Sequence, residues 1–395
     1  MKKILLVSEQ YPMPDNSGTN QRTMCFARSF SEIACVDLVY SNGNKNGHTV
    51  DDLFKNEFRI AKGKEQLNSK EQISLLLKGI PWCIQSRYSR EYEKRLLSLI
   101  REQHYDIIFI RYLYNVQYFL NASKAIKQKI IIDVDDVFSG PLYSLLYKIS
   151  TKYRWKELFD YKMLKQYEEN CIKNMGKSLF CSKEDESRIH LDHPAYHKKT
   201  FIIPNIVDPL PFKEYTFCDG YTLGHTLLFV GTLNYMPNVE GLEWFINSVF
   251  LPFREKFQDA KLLVVGKNPK ETILKLCETE GVELHANVPD VRPYYARSRA
   301  VVVPLLNGGG TRIKILEATL ADRPVISTPV GAEGLTFVDG LDILLFKDSD
   351  SFISQYFLLQ KMDFYHGMAR MAKERTQLEY SPQKFKESIN KVLEN

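Results

Sequence analysis

The sequence predicts an α/β protein built from parallel, doubly wound sheets. Short β-branched runs, such as KILLV at residues 3–7, alternate with stretches of helical periodicity along the chain, which is typical of βαβ units. One proline-rich stretch without periodicity divides this alternation into two series. A chain of 395 residues, 44% of them hydrophobic and 26% charged, is long enough to bury two cores of this kind.

The first series predicts an N-terminal domain over residues 1–206. A helix is expected at 23–30, where Met24, Ala27 and Phe30 recur at three-residue spacing. Six parallel strands would complete one doubly wound, Rossmann-like sheet. The β-branched runs place those strands at residues 3–7, 36–40, 106–110, 129–134, 178–181 and 201–203.

The second series predicts a C-terminal domain over residues 223–376. Prolines at 204, 209 and 211 and the lack of periodicity up to 222 place the linker at 207–222. Residues 377–395 contain a Ser-Pro helix start and are expected to pack back on the first domain. The strands are predicted at 226–230, 261–265, 282–285, 300–305, 325–328 and 343–346, and the helices at 239–256, 270–280, 291–297 and 312–321.

Composition excludes several classes of protein. No apolar run approaches the roughly 18 residues of a membrane-spanning helix, and the basic N-terminus is not followed by a signal peptide. The seven cysteines are scattered without a C-x-x-C pair and the histidines form no ligand motif, so neither a disulfide framework nor a metal site is expected. We therefore predict a cytoplasmic protein.

Charge is distributed unevenly, with a net +8 over residues 1–200 and −3 over residues 201–395. Much of the basic excess lies in an aromatic, helical stretch at 141–177. Two interpretations stay open for that stretch: a two-helix insertion packed on its own domain, or an interfacial surface for peripheral contact with the inner membrane. Nucleic-acid binding is not expected, because no recognition module accompanies the charge.

The most informative motif lies at residues 307–318, NGGGTRIKILEA, between a predicted strand and a predicted helix. Glycines allow the backbone to approach a bound group, and a helix N-terminus presents free N–H groups to an anion. Cations in the first helical turn oppose the helix dipole unless an anion is bound there. The motif therefore predicts a diphosphate site with Arg312 and Lys314 as its cations, and the carboxylate of Glu317 within reach of a sugar diol.

The same residues resemble a known family. The run from Pro304 to Leu335, together with VGTLNYMPNVEGLEWF, NVPDVRPYYARS and FIIPNIVD, is similar to the GT-B glycosyltransferases, in particular glycosyltransferase family 4. The likeness is specific over residues 200–348 and general over residues 1–199. It implies two Rossmann-like domains that face a central cleft, with the nucleotide sugar bound by the C-terminal domain.

Carried over residue by residue, the resemblance implies that Glu317 binds the donor ribose and that Arg312 and Lys314 hold the diphosphate. The other residues that it places at the donor are Gly18, Gly231, Asn234, Asn307, Gly308, Gly309, Gly310 and Thr311. The chain departs from the family in two ways. Gly309 stands where a glutamate usually contacts the donor sugar, and Thr232 with Asn238 or Val239 stands where an arginine and a lysine are common. Arg312 and Lys314 would supply those charges from the other side.

In the first domain the carboxylates of Asp133, Asp135 and Asp136 follow a predicted strand, at the end of the sheet where ligands of α/β proteins collect. They could bind a divalent cation, orient an acceptor hydroxyl, or serve as turn and cap residues. The resemblance favours Asp135 as an acceptor-side residue and protein cations in place of a metal. Gly18 and Arg22 lie in a loop that is either a plain turn or, by resemblance, faces the donor.

These observations predict a glycosyltransferase. It would move a hexose-type sugar from a UDP or GDP type donor to a hydroxyl of a saccharide or lipid-linked saccharide, in cell-surface polysaccharide or glycoconjugate synthesis. The resemblance implies retention of configuration, no cofactor and no dedicated nucleophile, with Arg312, Lys314 and Asp135 acting at the reacting groups. The alternatives are a nucleotide-sugar 2-epimerase of the same fold, and a degenerate, non-catalytic scaffold, which the glycine at 309 would explain.

Overall fold

The protein divides into two compact units. Unit 1 comprises Met1–Pro204 with Lys386–Asn395, and unit 2 comprises Asn205–Phe385. The computed structural model describes residues 2–13, 18–43, 53–62, 67–135, 137, 139, 154–189, 196, 198–308 and 312–394.

Unit 1 is built on a parallel sheet of seven strands in the order β3-β2-β1-β4-β5-β6-β7. The order reverses between β1 and β4, and this reversal creates the switch point at which ligands of open α/β sheets bind. Because the central strands are covered on both faces, they are nearly continuous apolar runs. The strands are β1 Lys2–Val7, β2 Ala34–Tyr40, β3 Asn56–Arg59, β4 Ile107–Arg111, β5 Ile130–Asp135, β6 Lys177–Phe180 and β7 Thr200–Ile202.

Helices cover the faces of this sheet. The side chain of Ser89 accepts a hydrogen bond from the Tyr92 N–H and so caps α4, while Ser182 caps α7 in the same way. A 3₁₀ helix, Leu113–Phe119, follows β4 directly. The α-helices are α1 Gly18–Ser31, α2 Ser69–Leu77, α3 Trp82–Gln85, α4 Arg90–Gln103, α5 Lys124–Gln128, α6 Arg154–Asn174 and α7 Lys183–Arg188.

The sequence prediction of six strands for the first domain is wrong by one. Strand β3 has the sequence NEFR, without the β-branched run that identifies the others. It pairs with β2, lies at the edge of the sheet and is partly exposed. An edge strand of this kind is specified by its neighbour's hydrogen bonds more than by its own side chains.

Unit 2 is built on a parallel sheet of six strands in the order β10-β9-β8-β11-β12-β13. Apolar clusters fill both faces of it, one around Phe245 and Phe253 and the other around Val301 and Leu316. The sequence predicted all six strands. They are β8 Thr226–Val230, β9 Lys261–Gly266, β10 Val282–Ala286, β11 Ala300–Val303, β12 Val325–Ser327 and β13 Leu344–Leu345.

The helix predicted at 239–256 is interrupted. A π-helical turn, Ile246–Phe250, separates two α-helical segments, and an extra residue of this kind alters which side chains face the core. The helices of unit 2 are α8 Leu210–Lys213, α9 Met236–Phe245, α10 Leu251–Lys256, α11 Glu271–Leu276, α12 Arg292–Ala296, α13 Ile313–Leu320, α14 Pro329–Ala332, α15 Ser349–Leu358 and α16 Met362–Glu379.

Two segments lie where the chain passes from one unit to the other. Residues 207–222 belong to unit 2, where the guanidinium of Arg323 donates to the Cys218 carbonyl (2.9 Å) and that of Arg299 to the Tyr221 carbonyl (2.7 Å). Helix α17, Pro382–Glu394, follows α16, and its residues from Lys386 onward belong to unit 1. There the Lys177 ammonium donates to the Val392 carbonyl at 2.5 Å.

Candidate functional site

The glycine-rich motif connects β11 to α13 at the carboxyl end of the unit 2 sheet. Gly308 has a φ of +113°, a backbone conformation that residues with a Cβ rarely adopt. A Cβ atom at Gly308 would lie 3.4 Å from the guanidinium of Arg312, so the two residues lie side by side. Gly309, Gly310 and Thr311 lie outside the described residues.

Lys314, in the first turn of α13, directs its ammonium to the neighbouring strand β8. The Nζ atom donates to Oδ1 of Asn238 at 3.0 Å and lies 4.7 Å from the ring centroid of Phe229. The amide of Asn238 in turn donates to the Thr232 carbonyl at 3.0 Å. The lysine is therefore held by an amide oxygen and an aromatic face, both from the β8–α9 region.

Gly231 leaves room for this ammonium. A Cβ atom placed on it would lie 3.0 Å from Nζ of Lys314 and 2.8 Å from Nδ2 of Asn238, closer than side chains normally approach one another. Any larger residue would therefore displace the lysine or its partner. The structure thus brings together Gly231 and Lys314, two residues that the sequence placed at the donor from separate motifs.

Burial shifts the ionisation of both charged groups on α13. It lowers the pKa of Lys314 to about 7, and the nearby charge of Arg312 acts in the same direction. Burial also raises the pKa of Glu317 to about 7, against the hydrogen bond from Tyr295 and the charge of Lys314. An anion bound beside Lys314 would restore its positive charge, because an opposite charge favours the ionised form.

Tyr295 fixes the carboxylate of Glu317. The phenol is fully buried and donates to Oε2 of Glu317 at 3.0 Å. One oxygen of the carboxylate is thereby oriented by the protein, and the half-buried side chain keeps acceptor capacity for a ligand hydroxyl.

The remaining residues predicted at the donor have varied surroundings. The amide of Asn307 donates to Oε2 of Glu240 at 2.7 Å, and Arg312 is buried at the start of α13. Asn234 lies exposed between β8 and α9. Gly18 begins α1 in unit 1 and is exposed.

The aspartates of unit 1 are engaged by two arginines. Arg22 donates to Asp133 through Nε (3.0 Å) and Nη2 (2.7 Å), and Arg111 forms a second ion pair with the same carboxylate. Arg111 Nη2 also contacts Oδ2 of Asp135 at 3.1 Å. Burial opposes ionisation of Asp135, but Arg111 and Arg22 hold its pKa below its ordinary value.

This network bears on the metal alternative for the aspartates. Both oxygens of Asp133 are occupied by guanidinium groups, which would have to move before a cation could bind. Within the described residues, no group of three or more His, Cys, Asp and Glu side chains could hold a metal ion. Asp136 is outside the described residues, as are residues 141–153 of the aromatic, basic stretch at 141–177.

Comparison with known proteins finds a family match within unit 2. Residues 224–359 match the family model for glycosyl transferases group 1. Unit 2 therefore carries a glycosyl transferases group 1 domain, and the chain is a glycosyltransferase. The enzyme is 24% identical over 368 residues to an uncharacterized 44.6 kDa protein in the cps region of Klebsiella pneumoniae, a match that covers 88% of either chain.

Solved structures share the fold of this glycosyltransferase. Sucrose-phosphate synthase from Thermosynechococcus elongatus is 14% identical and superposes with a TM-score of 0.74 over 100% of this chain and 98% of its own. HepE from Anabaena, solved in complex with UDP-glucose, is 11% identical and superposes with a TM-score of 0.70 over 100% of both chains. With its sheets of seven and six parallel strands, the glycosyltransferase has the GT-B fold, with two Rossmann-like domains, as the sequence predicted.

Sequence reasoning missed two side chains of this site in the glycosyltransferase. The sequence places Asn238 only where the family commonly has a cation, and its hydrogen bond with Lys314 depends on the tertiary structure. Tyr295 lies 22 residues from Glu317 in the sequence, and nothing in the local pattern PYY distinguishes it from a core tyrosine. The structure also shows that none of the described helices is long and apolar enough to cross a membrane.

Proposed function

We propose that this glycosyltransferase transfers a sugar from a UDP or GDP type donor to a hydroxyl of a saccharide or lipid-linked saccharide, with retention, in cell-surface polysaccharide synthesis. The observation that carries the proposal is the ammonium of Lys314, held 3.0 Å from an amide oxygen in a space that Gly231 leaves open. The cps-region relative and the UDP-glucose complex of HepE support the substrate class.

The proposed chemistry follows from where negative charge develops. Departure of the nucleoside diphosphate leaves an oxocarbenium-like sugar, and preorganised cations and N–H dipoles stabilise the leaving phosphate. Lys314 and Arg312 would supply that charge, with the Gly308 backbone close to the phosphates. In the retaining mode that the family resemblance implies, the leaving phosphate accepts the proton of the attacking hydroxyl, and no cofactor is required.

Glu317 and Asp135 take the remaining roles in the proposal. Glu317, oriented by Tyr295, would accept hydrogen bonds from the donor ribose. Asp135 is kept ionised by Arg111 and Arg22, and an ionised carboxylate is an acceptor only. We assign it to the acceptor hydroxyl, which it would orient without itself becoming protonated.

A donor screen tests the proposal. Thermal unfolding and nucleotide release would be followed with a panel of UDP and GDP sugars, with and without magnesium and a saccharide acceptor. We expect one donor to raise the midpoint temperature of unfolding in the absence of magnesium. Release of the nucleotide should depend on the presence of the saccharide acceptor. Release of an epimerised donor without acceptor would instead support the 2-epimerase, and no response to any donor would support the scaffold.

We also propose peripheral contact with the inner membrane surface, carried by an exposed apolar face of α6. Trp155, Leu158 and Phe159 are 72%, 40% and 47% exposed and recur at the three- and four-residue spacing of one helix face. The Trp82 ring lies 5.9 Å from that of Phe159. An apolar face flanked by lysines such as Lys162 is typical of helices that lie at the lipid interface.

Vesicle flotation tests the membrane contact. We expect the protein to float with vesicles in which about a third of the lipid is anionic phosphatidylglycerol. The double variant Trp155→Ser with Phe159→Ser should remain in the bottom fraction, without vesicles. Leu378→Ser, which removes an equally exposed apolar side chain from unit 2 (72% exposed), serves as the control. Equal flotation of all three proteins would contradict the assignment to α6.

A further inference from the structure

A second cluster of charged and aromatic side chains lies in unit 1, outside the residues discussed so far. Glu9 follows β1 by two residues, Tyr112 and Tyr114 follow β4, and Lys62 follows the edge strand β3. The carboxyl ends of β1 and β4 flank the switch point of the sheet, where open α/β sheets bind ligands. With Arg87, these residues are called the unit 1 end cluster.

Two cations of the unit 1 end cluster share one carboxylate. The guanidinium of Arg87 lies 3.2 Å from Oε2 of Glu9, and the ammonium of Lys62 lies 3.7 Å from Oε1. The ammonium of Lys62 also lies 3.5 Å from Oδ1 of Asn115. The three ionisable groups therefore leave an excess of one positive charge.

The position of this charge makes it costly without an anion. The side chain of Lys62 is 13% exposed and that of Glu9 is 17% exposed, and burial lowers the pKa of Lys62 against the pull of Glu9. The ammonium also faces three tyrosine rings at 5.3, 5.6 and 6.0 Å, and a further opposite charge would favour its ionised form. Arg87, with 46% of its side chain exposed, leaves the cluster accessible to a ligand.

Aromatic faces adjoin these cations. The Arg87 guanidinium lies 4.5 Å from the ring centroid of Tyr114, which stacks on Tyr112 with centroids 5.2 Å apart and planes at 9°. Tyr112 has a φ of +69°, a strained conformation for a tyrosine, and such strain is concentrated at functional sites. Aromatic faces beside a few fixed polar groups are the usual lining of a small-molecule site.

We propose that the unit 1 end cluster binds an oxyanion carried by the acceptor saccharide, through Arg87 and Lys62. The group is either the carboxylate of an acidic sugar or a phosphate. The inference rests on the proposed function, because it names the class of acceptor. Glu9 holds the two cations in place in the absence of ligand, and the sugar ring lies beside Tyr112, the partly exposed member of the tyrosine pair.

Direct binding tests the inference without a donor. Methyl β-D-glucuronide, glucose 1-phosphate and the neutral methyl β-D-glucoside would be titrated into the whole protein and followed by ligand-observed NMR. A charge-assisted contact predicts that at least one anionic sugar binds about tenfold more tightly than the neutral one. The carboxylate and phosphate probes separate the two sources of the oxyanion. Equal affinity for all three, or no binding of the anionic sugars, would overturn the inference.

Variants assign the effect to the cluster. Arg87→Gln and Lys62→Gln should abolish the preference for the anionic sugar, whereas Arg95→Gln, which removes an exposed arginine paired with Glu91, should retain it. Glu9→Gln should strengthen anion binding severalfold, since it frees two cations from their shared carboxylate. A purely structural role for the cluster predicts the opposite, that Glu9→Gln weakens binding along with the fold.

The outcome is separable from that of the donor screen. If nucleotide sugars bind but the anionic and neutral sugars bind alike, the proposed function stands and this inference fails. If no nucleotide sugar binds while the anionic sugar does, the anion site stands without the transferase. Loss of the preference in the Arg95→Gln control would also count against the cluster.

Discussion

The two units hold buried positive charge in opposite ways. In unit 1, Arg22 and Arg111 are ion-paired with Asp133, and all three side chains are at most 1% exposed. In unit 2, Lys314 faces the neutral amide of Asn238, and burial lowers its pKa to about 7. A cation paired with a carboxylate is already neutralised. Among the described residues, Lys314 forms no ion pair with a carboxylate, and the charge of Glu317 acts on it only from a longer distance.

This difference separates a structural network from a site that awaits a ligand. Removing one partner of the unit 1 network leaves a buried charge without compensation, so such a change should destabilise the fold. Removing Lys314 takes away a charge whose burial is unfavourable, so the fold should tolerate the change. Stability and donor binding are therefore expected to depend on different units.

The largest effect is expected from Asp133→Asn. The variant leaves two buried guanidinium groups facing a neutral amide, which should lower the free energy of unfolding by about 3–5 kcal/mol. Urea denaturation measures this loss. Glu91→Gln, which breaks an exposed pair with Arg95 (51% and 62% exposed), should cost less than about 0.5 kcal/mol. Similar losses in both variants would remove the distinction between buried and exposed pairs.

A smaller but functional effect is expected from Lys314→Met. Donor affinity should fall about 100-fold, because a charge-assisted contact to the diphosphate is lost. The unfolding midpoint should stay the same or rise, because no ammonium needs to be desolvated. Isothermal titration with the donor found in the screen and thermal unfolding measure the two quantities. A large loss of stability with unchanged affinity would reverse the roles given to the units.

Asn238→Asp would give unit 2 the pairing found in unit 1. A carboxylate at this position neutralises Lys314 and repels the donor phosphates, so we expect the pKa of Lys314 to rise and donor affinity to fall about tenfold. Asn238→Ala, which removes the amide without adding charge, is the matched control and should lose less affinity. Tighter donor binding by Asn238→Asp than by Asn238→Ala would contradict this account.

A pH dependence of stability is also expected, and it tests the ionisation of the two charged groups on α13. Because the folded state raises the pKa of Glu317 from 4.5 to about 7, it binds more protons than the unfolded state there, and stability falls as pH rises from 4.5 to 7. Because it lowers the pKa of Lys314 from 10.5 to about 7, stability then rises with pH from 7 to 10.5. Denaturation midpoints should pass through a minimum near pH 7. The double variant Lys314→Met with Glu317→Gln should flatten it.

The sequence predicted the fold more completely in unit 2 than in unit 1. The strands of unit 2 other than the edge strand β10 (VELHA) carry apolar runs, because both faces of its sheet are buried. Strand β3 of unit 1 has no such run, and its pairing with β2 is visible only once the sheet has formed. The π-helical turn at Ile246–Phe250 also has no local signature, since the segment retains a helical pattern on either side.

The sequence also predicts some residues of the candidate site better than others. Glycine and charge spacing within one motif were sufficient to place Gly308, Arg312, Lys314 and Glu317 together. The partners that orient them, Asn238 and Tyr295, come from other elements and depend on tertiary packing. For Asp133 and Asp135 the sequence left metal binding, acceptor binding and capping open. Two arginines distant in the sequence engage these aspartates. Arg22, on α1, lies 111 residues before Asp133, and Arg111, on β4, lies 22 residues before it.

Unit 1 is assembled from two stretches of chain with the whole of unit 2 between them, and this has a consequence for biosynthesis. During translation at about 5–20 residues per second, unit 2 emerges from the ribosome before the segment that carries Val392. The contact from Lys177 to the Val392 carbonyl and the ion pair of Lys386 with Glu32 form only afterwards. A nascent unit 1 must therefore wait about ten seconds or more, with one surface uncovered, for the residues that complete it.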